Sequence, residues 1–197
     1  MRGDGSHHLG CGKAKEAVVR KVIESTLVSL DGVIGNPQAW AEPYFNAEAG
    51  ERALEQLLVT DAMLMGKRTY EMFASMWPAS TGAYADRMNS IRKYVFSSTL
   101  QTAEWSNSTI ISGDVPAAVG ALKQQDGQDL VMYGHGPLGQ ALLEHQLLDE
   151  LRLWVHPLLV GGGTTLFREG ANTTLKLVAT ERLQTGVIIL TYQPSPA

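Results

Sequence analysis

The sequence predicts an α/β domain of three layers: a central mixed, mostly parallel β-sheet, helices on both of its faces, and an antiparallel hairpin at its C-terminal end. Three observations carry this expectation. From residue 20 onward, short β-branched and aliphatic runs alternate with helical patterns, which is how parallel strands joined by crossover helices read. The last quarter switches to a period of two, in Leu151–Val155, Leu175–Ala179 and Val187–Tyr192, with no helix among them. A length of 197 residues with 44% hydrophobic and 18% charged side chains fits one soluble domain with a substantial core.

Taken in order, Lys21–Leu30 reads as a strand that stops at the Asp31-Gly32 turn, and a loop carrying Gly35, Asn36, Pro37 and Pro43 runs to about Asn46. Residues 47–60 put Ala47, Leu54, Leu57 and Leu58 near one helical face, and 61–65 read as a short buried strand. Strands follow at 94–96, 109–111 and 130–133, with helices at 68–77, 83–91, 114–125 and 137–147. The runs at 175–179 and 187–192 flank Glu181–Gly186 as a hairpin at the sheet's edge. The domain spans 20–193; a polar, Gly-rich leader over 1–19, disordered or a cloning remnant, precedes it, and a tail over 194–197 follows.

Composition excludes several functions. The formal charge of −4 comes from 16 basic and 20 acidic residues with no run of either sign, so no nucleic-acid partner is expected. No stretch approaches the roughly 18 apolar residues of a spanning helix, and the leader lacks a secretion signal's apolar core, so no membrane partner is expected. Cys11 is the only cysteine, which removes an internal disulfide and any multi-cysteine zinc site and suits the reducing cytoplasm. His7 and His8 fall in the leader, and no metal is expected.

Three turns carry the chemistry. In Tyr133-Gly134-His135-Gly136-Pro137-Leu138-Gly139 a strand delivers glycines in G-x-G-x-x-G spacing to a helix starting at Pro137, whose free N–H groups and positive dipole end suit an anion. A plain strand-to-helix turn explains the first two glycines equally well. A Rossmann fingerprint does not fit, because no acid stands about 20 residues further on for a ribose. In Gly66-Lys67-Arg68-Thr69, two cations and a hydroxyl open the next helix, where positive charge opposes the dipole unless an anion sits among them. Hydroxyls cluster again just past a strand in Phe96-Ser97-Ser98-Thr99. All three are at strand carboxyl ends, where α/β sheets collect ligands.

In order, "STLVSLDGVIG", "LMGKRTYE", "KYVFSSTL" and "LVMYGHGPLGQALLEHQLLDELRLWVHPLLVGGGTTLF", with the closing hairpin, resemble the dihydrofolate reductase-like superfamily over roughly residues 20–193. The likeness is to stand-alone relatives of the reductase domain of bacterial riboflavin biosynthesis. It implies NADPH as hydride donor and a homodimer. Lys67 resembles the basic residue that meets the NADPH 2′-phosphate, with Arg68 beside it, and Thr69 the hydroxyl supporting the pyrophosphate next to Gly66. Ser97 and Ser98 resemble the pair on the adenosine side, Ser98 being the nearer match to the 2′-phosphate residue. Gly134, His135 and Gly136 fall on the family's glycine turn, and the helix from Pro137 and Leu138 faces the pyrophosphate. Asp31 and Ile34 lie on the segment bordering the nicotinamide. Dihydrofolate reductases proper have consecutive glycines and a cis peptide at the turn; His135 stands second here and leaves that bond open. Their pterin-polarising acid would fall near Phe45-Asn46, which argues against folate.

Hydride transfer asks the protein for alignment, a dry pocket and a proton source. Proton-donor candidates are Asp31, equally a turn residue before Gly32, and the loop acids Glu42 and Glu48. Trp40, Tyr44 and Phe45 form an aromatic group on which a planar substrate could stack, or which packs on the sheet. His145, His156 and Gly161–Gly163 are read as structural. The zinc deaminase partner domain of riboflavin biosynthesis needs paired cysteines, which one cysteine cannot supply. The expected function is an NADPH-dependent reductase of a small planar heterocycle, such as the ribosylaminopyrimidine of riboflavin biosynthesis. Pterin or xenobiotic reduction and a non-catalytic nucleotide-binding module are the alternatives.

Overall fold

The computed structural model describes residues 19–168 and 172–195. The expectations for the leader, apart from Val19, and for the last two residues of the tail lie outside them, as do His7, His8 and Cys11. The elements are β1 (Val22–Ser29), α1 (Ala47–Leu58), β2 (Thr60–Gly66), α2 (Lys67–Met76), α3 (Ala83–Ser90), β3 (Arg92–Phe96), β4 (Ser108–Ile111), α4 (Val115–Lys123), β5 (Asp129–Tyr133), α5 (Pro137–Glu144), β6 (Glu150–His156), β7 (Leu175–Arg182) and β8 (Ile188–Pro194). They form one eight-stranded sheet in the order β4-β3-β2-β5-β1-β6-β8-β7. All pairings from β4 through β6 are parallel, whereas β6–β8 and β8–β7 are antiparallel, so the hairpin ends the sheet as its alternating pattern requires.

The central strands feed two cores alternately, which is why they read as unbroken apolar runs. In β2, Ala62 and Leu64 face the cluster shared with α4 and α5, while Met63 and Met65 face the one shared with α1, α2 and α3. β5 divides in the same way, with Leu130 and Met132 on one side and Val131 on the other. Each such fully buried side chain contributes roughly 1.5–3 kcal/mol of transfer free energy. β7, at the edge, is largely exposed.

Several details differ from the sequence expectation: the helix expected over 137–147 ends at Glu144, and the strand expected over 175–179 runs on to Arg182. α1 stops at Leu58, and Thr60, whose hydroxyl donates to the Leu57 carbonyl at 2.9 Å, already begins β2. The loop before α1 holds two short 3-10 turns, Pro37–Ala39 and Glu42–Tyr44, each entered through a proline that fixes φ for helical geometry. There is no cis peptide bond among the described residues, so the Gly134–His135 bond is trans.

Candidate functional site

β3, β2 and β5 are parallel neighbours, so their carboxyl ends open side by side along one edge of the sheet. This brings together the three turns singled out in the sequence. α2 begins directly at Lys67 after Gly66, with no side chain capping its N-terminus and no acid in its first turn. The Lys67 ammonium donates to Thr99 Oγ1 at 3.2 Å, spanning the ends of β2 and β3, and lies 3.7 Å from Glu71 of its own helix. Arg68 is exposed beside it and Thr69 is half-buried. The Ser97 hydroxyl is engaged in its own turn, accepting from the amides of Thr99 and Leu100, so Ser98 is the free hydroxyl of that pair and stands exposed.

At the third turn Gly134 takes φ +75, a left-handed conformation that favours glycine. Gly136 then serves as the N-cap of α5 without a side-chain cap. Pro137 at the helix start has no N–H, and the Leu138 side chain is buried in the core, so these two contribute the helix start and its backbone rather than side-chain contacts. The His135 ring turns inward onto Glu24.

The opposite edge of the sheet is built differently. There Arg20 pairs with Asp61 and Lys123 with Asp149, each pair joining strand starts or a helix end into the fold. The charged pairs at that edge are buried or half-buried in the fold, whereas at the carboxyl edge Arg68 and Ser98 are exposed and Lys67 makes only solvent-exposed contacts, with Thr99 and Glu71. A side chain grown at Gly66, Gly134 or Gly136 would meet open space rather than protein. Uncapped helix starts, open glycine backbone and exposed cations could hold a phosphorylated dinucleotide, with Gly66, Lys67 and Thr69 on one side and Gly134–Gly136 on the other.

The end of β1 is occupied by structural bonds. Asp31 accepts from the Ser29 hydroxyl and from the amides of Val160 at 3.1 Å and Gly161 at 2.7 Å, tying the β1 turn to the loop after β6. These hydrogen bonds, Ser29 first, hold its carboxyl down at about 2. An acid so ionised is a poor proton donor at neutral pH, and the turn reading of Asp31 is the one its geometry supports. Ile34 and Gly35 donate their amides to the Thr164 carbonyl, and the Ile34 side chain packs on the core. Glu48 accepts from the Gln184 amide at 2.8 Å, while Glu42 is exposed in its 3-10 turn.

The aromatic group divides. Trp40, nearly buried, donates its indole N–H to the Gly35 carbonyl and meets the His156 ring edge-to-face at 5.2 Å; Tyr44 does the same at 5.5 Å. His156 is buried and donates Nδ1–H to the Trp154 carbonyl at 2.8 Å, so it is structural, as the sequence suggests. Phe45 projects into solvent and joins neither ring.

One polar row was not read from the sequence. Tyr133 and Arg152 are the cross-strand partners of Ser25 on either side of β1, beneath α1. The Ser25 hydroxyl donates to Gln56 of α1 at 3.3 Å, and Gln56 Nε2 is buried without a partner. The Tyr133 and Tyr84 hydroxyls are 3.4 Å apart. Burial pushes the Tyr133 phenol well above its usual range, with the Arg152 guanidinium working against that shift. This row sits one residue before the glycine turn, at the same edge. Two surface concavities, one along Arg92–Tyr94 and one beside α2 at Tyr70 and Pro78, lie away from the three turns and meet around Trp105. Lys93 there is spent on the carbonyls of Asn89, Ile91 and Ser106 and on the face of Trp105. Among the described residues no cluster of three His, Cys, Asp or Glu side chains could hold a metal, and no helix is long and apolar enough to cross a membrane.

Comparison with known proteins agrees with this architecture. The chain is 26% identical to the uncharacterized protein YyaP of Bacillus subtilis (strain 168) over 179 residues, covering 88% of this chain and 94% of that one. It is 27% identical to YwjB of the same organism, also uncharacterized, covering 83% and 92%. Among solved structures, a candidate riboflavin biosynthesis protein from Shewanella sp. PV-4 matches with a TM-score of 0.71 at 22% identity, covering 89% of this chain and 99% of that one. A pyrimidine reductase-like protein from Corynebacterium diphtheriae matches with a TM-score of 0.67 at 12% identity, covering 90% and 93%. A bifunctional Thermotoga maritima deaminase and 5-amino-6-(5-phosphoribosylamino)uracil reductase matches with a TM-score of 0.64 at 14% identity over 90% of this chain and 57% of its own. The solved structures share this fold. The family model for the RibD C-terminal domain matches residues 20–189, and the chain belongs to that family.

Proposed function

We propose that this protein is an NADPH-dependent reductase that delivers hydride to a C=N or C=O group of a small planar heterocycle of the pyrimidine class. The observation that carries the reading is the meeting of Gly66–Thr69, Ser98 and Gly134–Gly136 along one edge, with Lys67 spanning β2 and β3. Bound NADPH would supply the hydride. The protein's own work is then to hold the phosphates, exclude water and place a proton. Lys67 and Arg68 would take the 2′-phosphate, a doubly charged group for which two cations at a helix start are well suited. The backbone amides of the glycine turn and of α5 would take the pyrophosphate.

Asp31 is committed elsewhere, so the proton is assigned to the Tyr133 hydroxyl, which burial keeps protonated beside Arg152. The Tyr133 phenol would pass its proton to the nitrogen or oxygen of the group that takes the hydride, and the Arg152 guanidinium would favour the phenolate left behind. The same reading takes the protein to be a cytoplasmic homodimer, which light scattering of the purified chain tests.

NADPH and NADH titrations, followed by turnover with pyrimidine, pterin and carbonyl substrates, test the assignment. Turnover of a pyrimidine with preference for NADPH supports it. Turnover of pterins or carbonyls alone redirects the substrate class, binding without turnover of any substrate indicates a nucleotide-binding module, and no NADPH affinity removes the reading.

A further inference from the structure

The carboxylate of Glu24, on β1, has no solvent exposure. It lies beneath α5, on β1 opposite Met132 of β5 and against Gly139 of the helix. It accepts from the Thr26 hydroxyl at 3.0 Å and meets His135 Nδ1 at 2.9 Å and 3.1 Å through its two oxygens. With Glu24 as the acceptor, Nδ1 of His135 is the atom that carries the shared proton. A polar group buried this deeply is costly unless a partner is held against it, and the partner is the middle residue of the glycine turn. Phe167 covers the other side of that ring, edge-on at 5.6 Å.

Gly139 explains why the third glycine of the turn's motif is there. Its φ is unremarkable, yet a Cβ at this position would stand 2.6 Å from Glu24 Oε2 and 2.9 Å from His135 Nδ1. No side chain fits while the pair is in place. By contrast, the first two glycines open into empty space.

We propose that Glu24 is a positioning residue that acts through His135 to hold the Gly134–His135–Gly136 backbone in shape for phosphate, and that Gly139 exists to admit this pair rather than to approach a ligand. The inference rests on the proposed role of the glycine turn in cofactor binding. It gives an internal pair the task that a turn with consecutive glycines leaves to backbone alone. Because the pair reaches from β1, an interior strand of the sheet, to the turn, it fixes the turn relative to the sheet rather than only within itself.

Imidazole 15N spectra and amide hydrogen exchange test the positioning without any ligand. The wild-type spectrum should show Nδ1 of His135 protonated. Glu24→Gln replaces one acceptor oxygen with an NH2 that donates, so the share of rings protonated at Nδ1 should fall. Glu24→Ala should speed exchange of the amides from Gly134 to Leu138 by about tenfold, the loss of one buried hydrogen bond, with α1 unchanged. Gly139→Ala should loosen the same amides, and in the Glu24→Ala background it should add little, because the methyl then enters the vacated space. An unprotonated Nδ1 in the wild type, unchanged exchange in Glu24→Ala, or full additivity of the two alanines would overturn the inference. NADPH affinity then separates it from the reading it rests on. If the wild type does not bind NADPH, that reading fails while the exchange data still decide the pair. If the wild type binds and Glu24→Ala binds equally well, the positioning role alone fails.

Discussion

The ammonium of Lys67, first residue of α2, donates to the hydroxyl of Thr99, just past the end of β3, across 3.2 Å. A cation at a helix start opposes the dipole, and its ion pair with Glu71 is long and exposed, hence worth little. The fold therefore keeps a mildly unfavourable charge where two strand ends meet. An anion at that position would remove the penalty.

Lys67→Ala should accordingly weaken NADPH by about 10- to 100-fold, the worth of one charge-assisted hydrogen bond, and leave NADH unchanged. Isothermal titration with both cofactors reads this directly. Equal losses for the two would show that Lys67 does not meet the 2′-phosphate.

The proton assignment predicts a different signature. Tyr133→Phe keeps the ring that packs 5.9 Å from Phe73 and removes only the hydroxyl. It should lower kcat by about 10²-fold or more, within the range of a positioned general acid, while NADPH affinity and melting temperature stay close to wild type. An unaltered kcat would move the proton source elsewhere.

Much of this was legible in the sequence, and what was not has a common cause. The strands were readable because Ala62–Met65 and Leu130–Met132 are apolar on both faces, and the three turns because Gly, Lys and Ser stand where strands end. What could not be read are pairings set by register. Glu24 meets His135 across 111 residues of chain, and Tyr133, Ser25 and Arg152 become neighbours only once β1 lies between β5 and β6. Asp31 reads equally as a chemical or a turn residue in the sequence, because the Gly161 amide that donates to its carboxylate lies 130 residues away. The helix pattern of α1 also ran on to Thr60, because local periodicity does not reveal that Thr60 pairs with Asp129 in the sheet.

If Asp31 is a structural acceptor, Asp31→Asn should retain turnover within a few-fold but speed amide exchange at Val160 and Gly161. Its carboxyl sits at about 2, below the ordinary 3.8, so the fold favours the ionised form. Its hold on the loop is full above 3.8 and is lost as pH falls through about 2. Exchange rates of wild type and variant should therefore converge on acidification. Loss of turnover in Asp31→Asn at neutral pH would return this residue to the chemistry.

His156 titrates in the other window. Burial lowers its pKa from the ordinary 6.5, against the raising effect of the Trp154 and Val28 backbone bonds. The folded state thus prefers the neutral ring, and the unfolded chain takes up the proton first as pH drops below 6.5. Stability that is fully present above that value should decline below it. His156→Gln should flatten this part of the melting-temperature profile; an unchanged acid slope would place the destabilising proton elsewhere.

The helix starts give the last test, because stability and binding should move in opposite directions there. α1 and α4 are capped by Asn46 and Asp114, each accepting a backbone N–H, whereas α2 begins at Gly66 with nothing. Gly66 has φ −76 and ψ 162, the extended geometry of an ordinary N-cap, and a Cβ there would meet no atom within 4 Å. Glycine is thus not required by backbone or by space. Gly66→Asp should cap α2 and answer its positive end, raising stability by up to about 1 kcal/mol. The same carboxylate would stand where phosphate is proposed to sit, and NADPH binding should fall below detection. A variant that is stabilised and still binds NADPH would mean that the start of α2 is bare for some reason other than an anion.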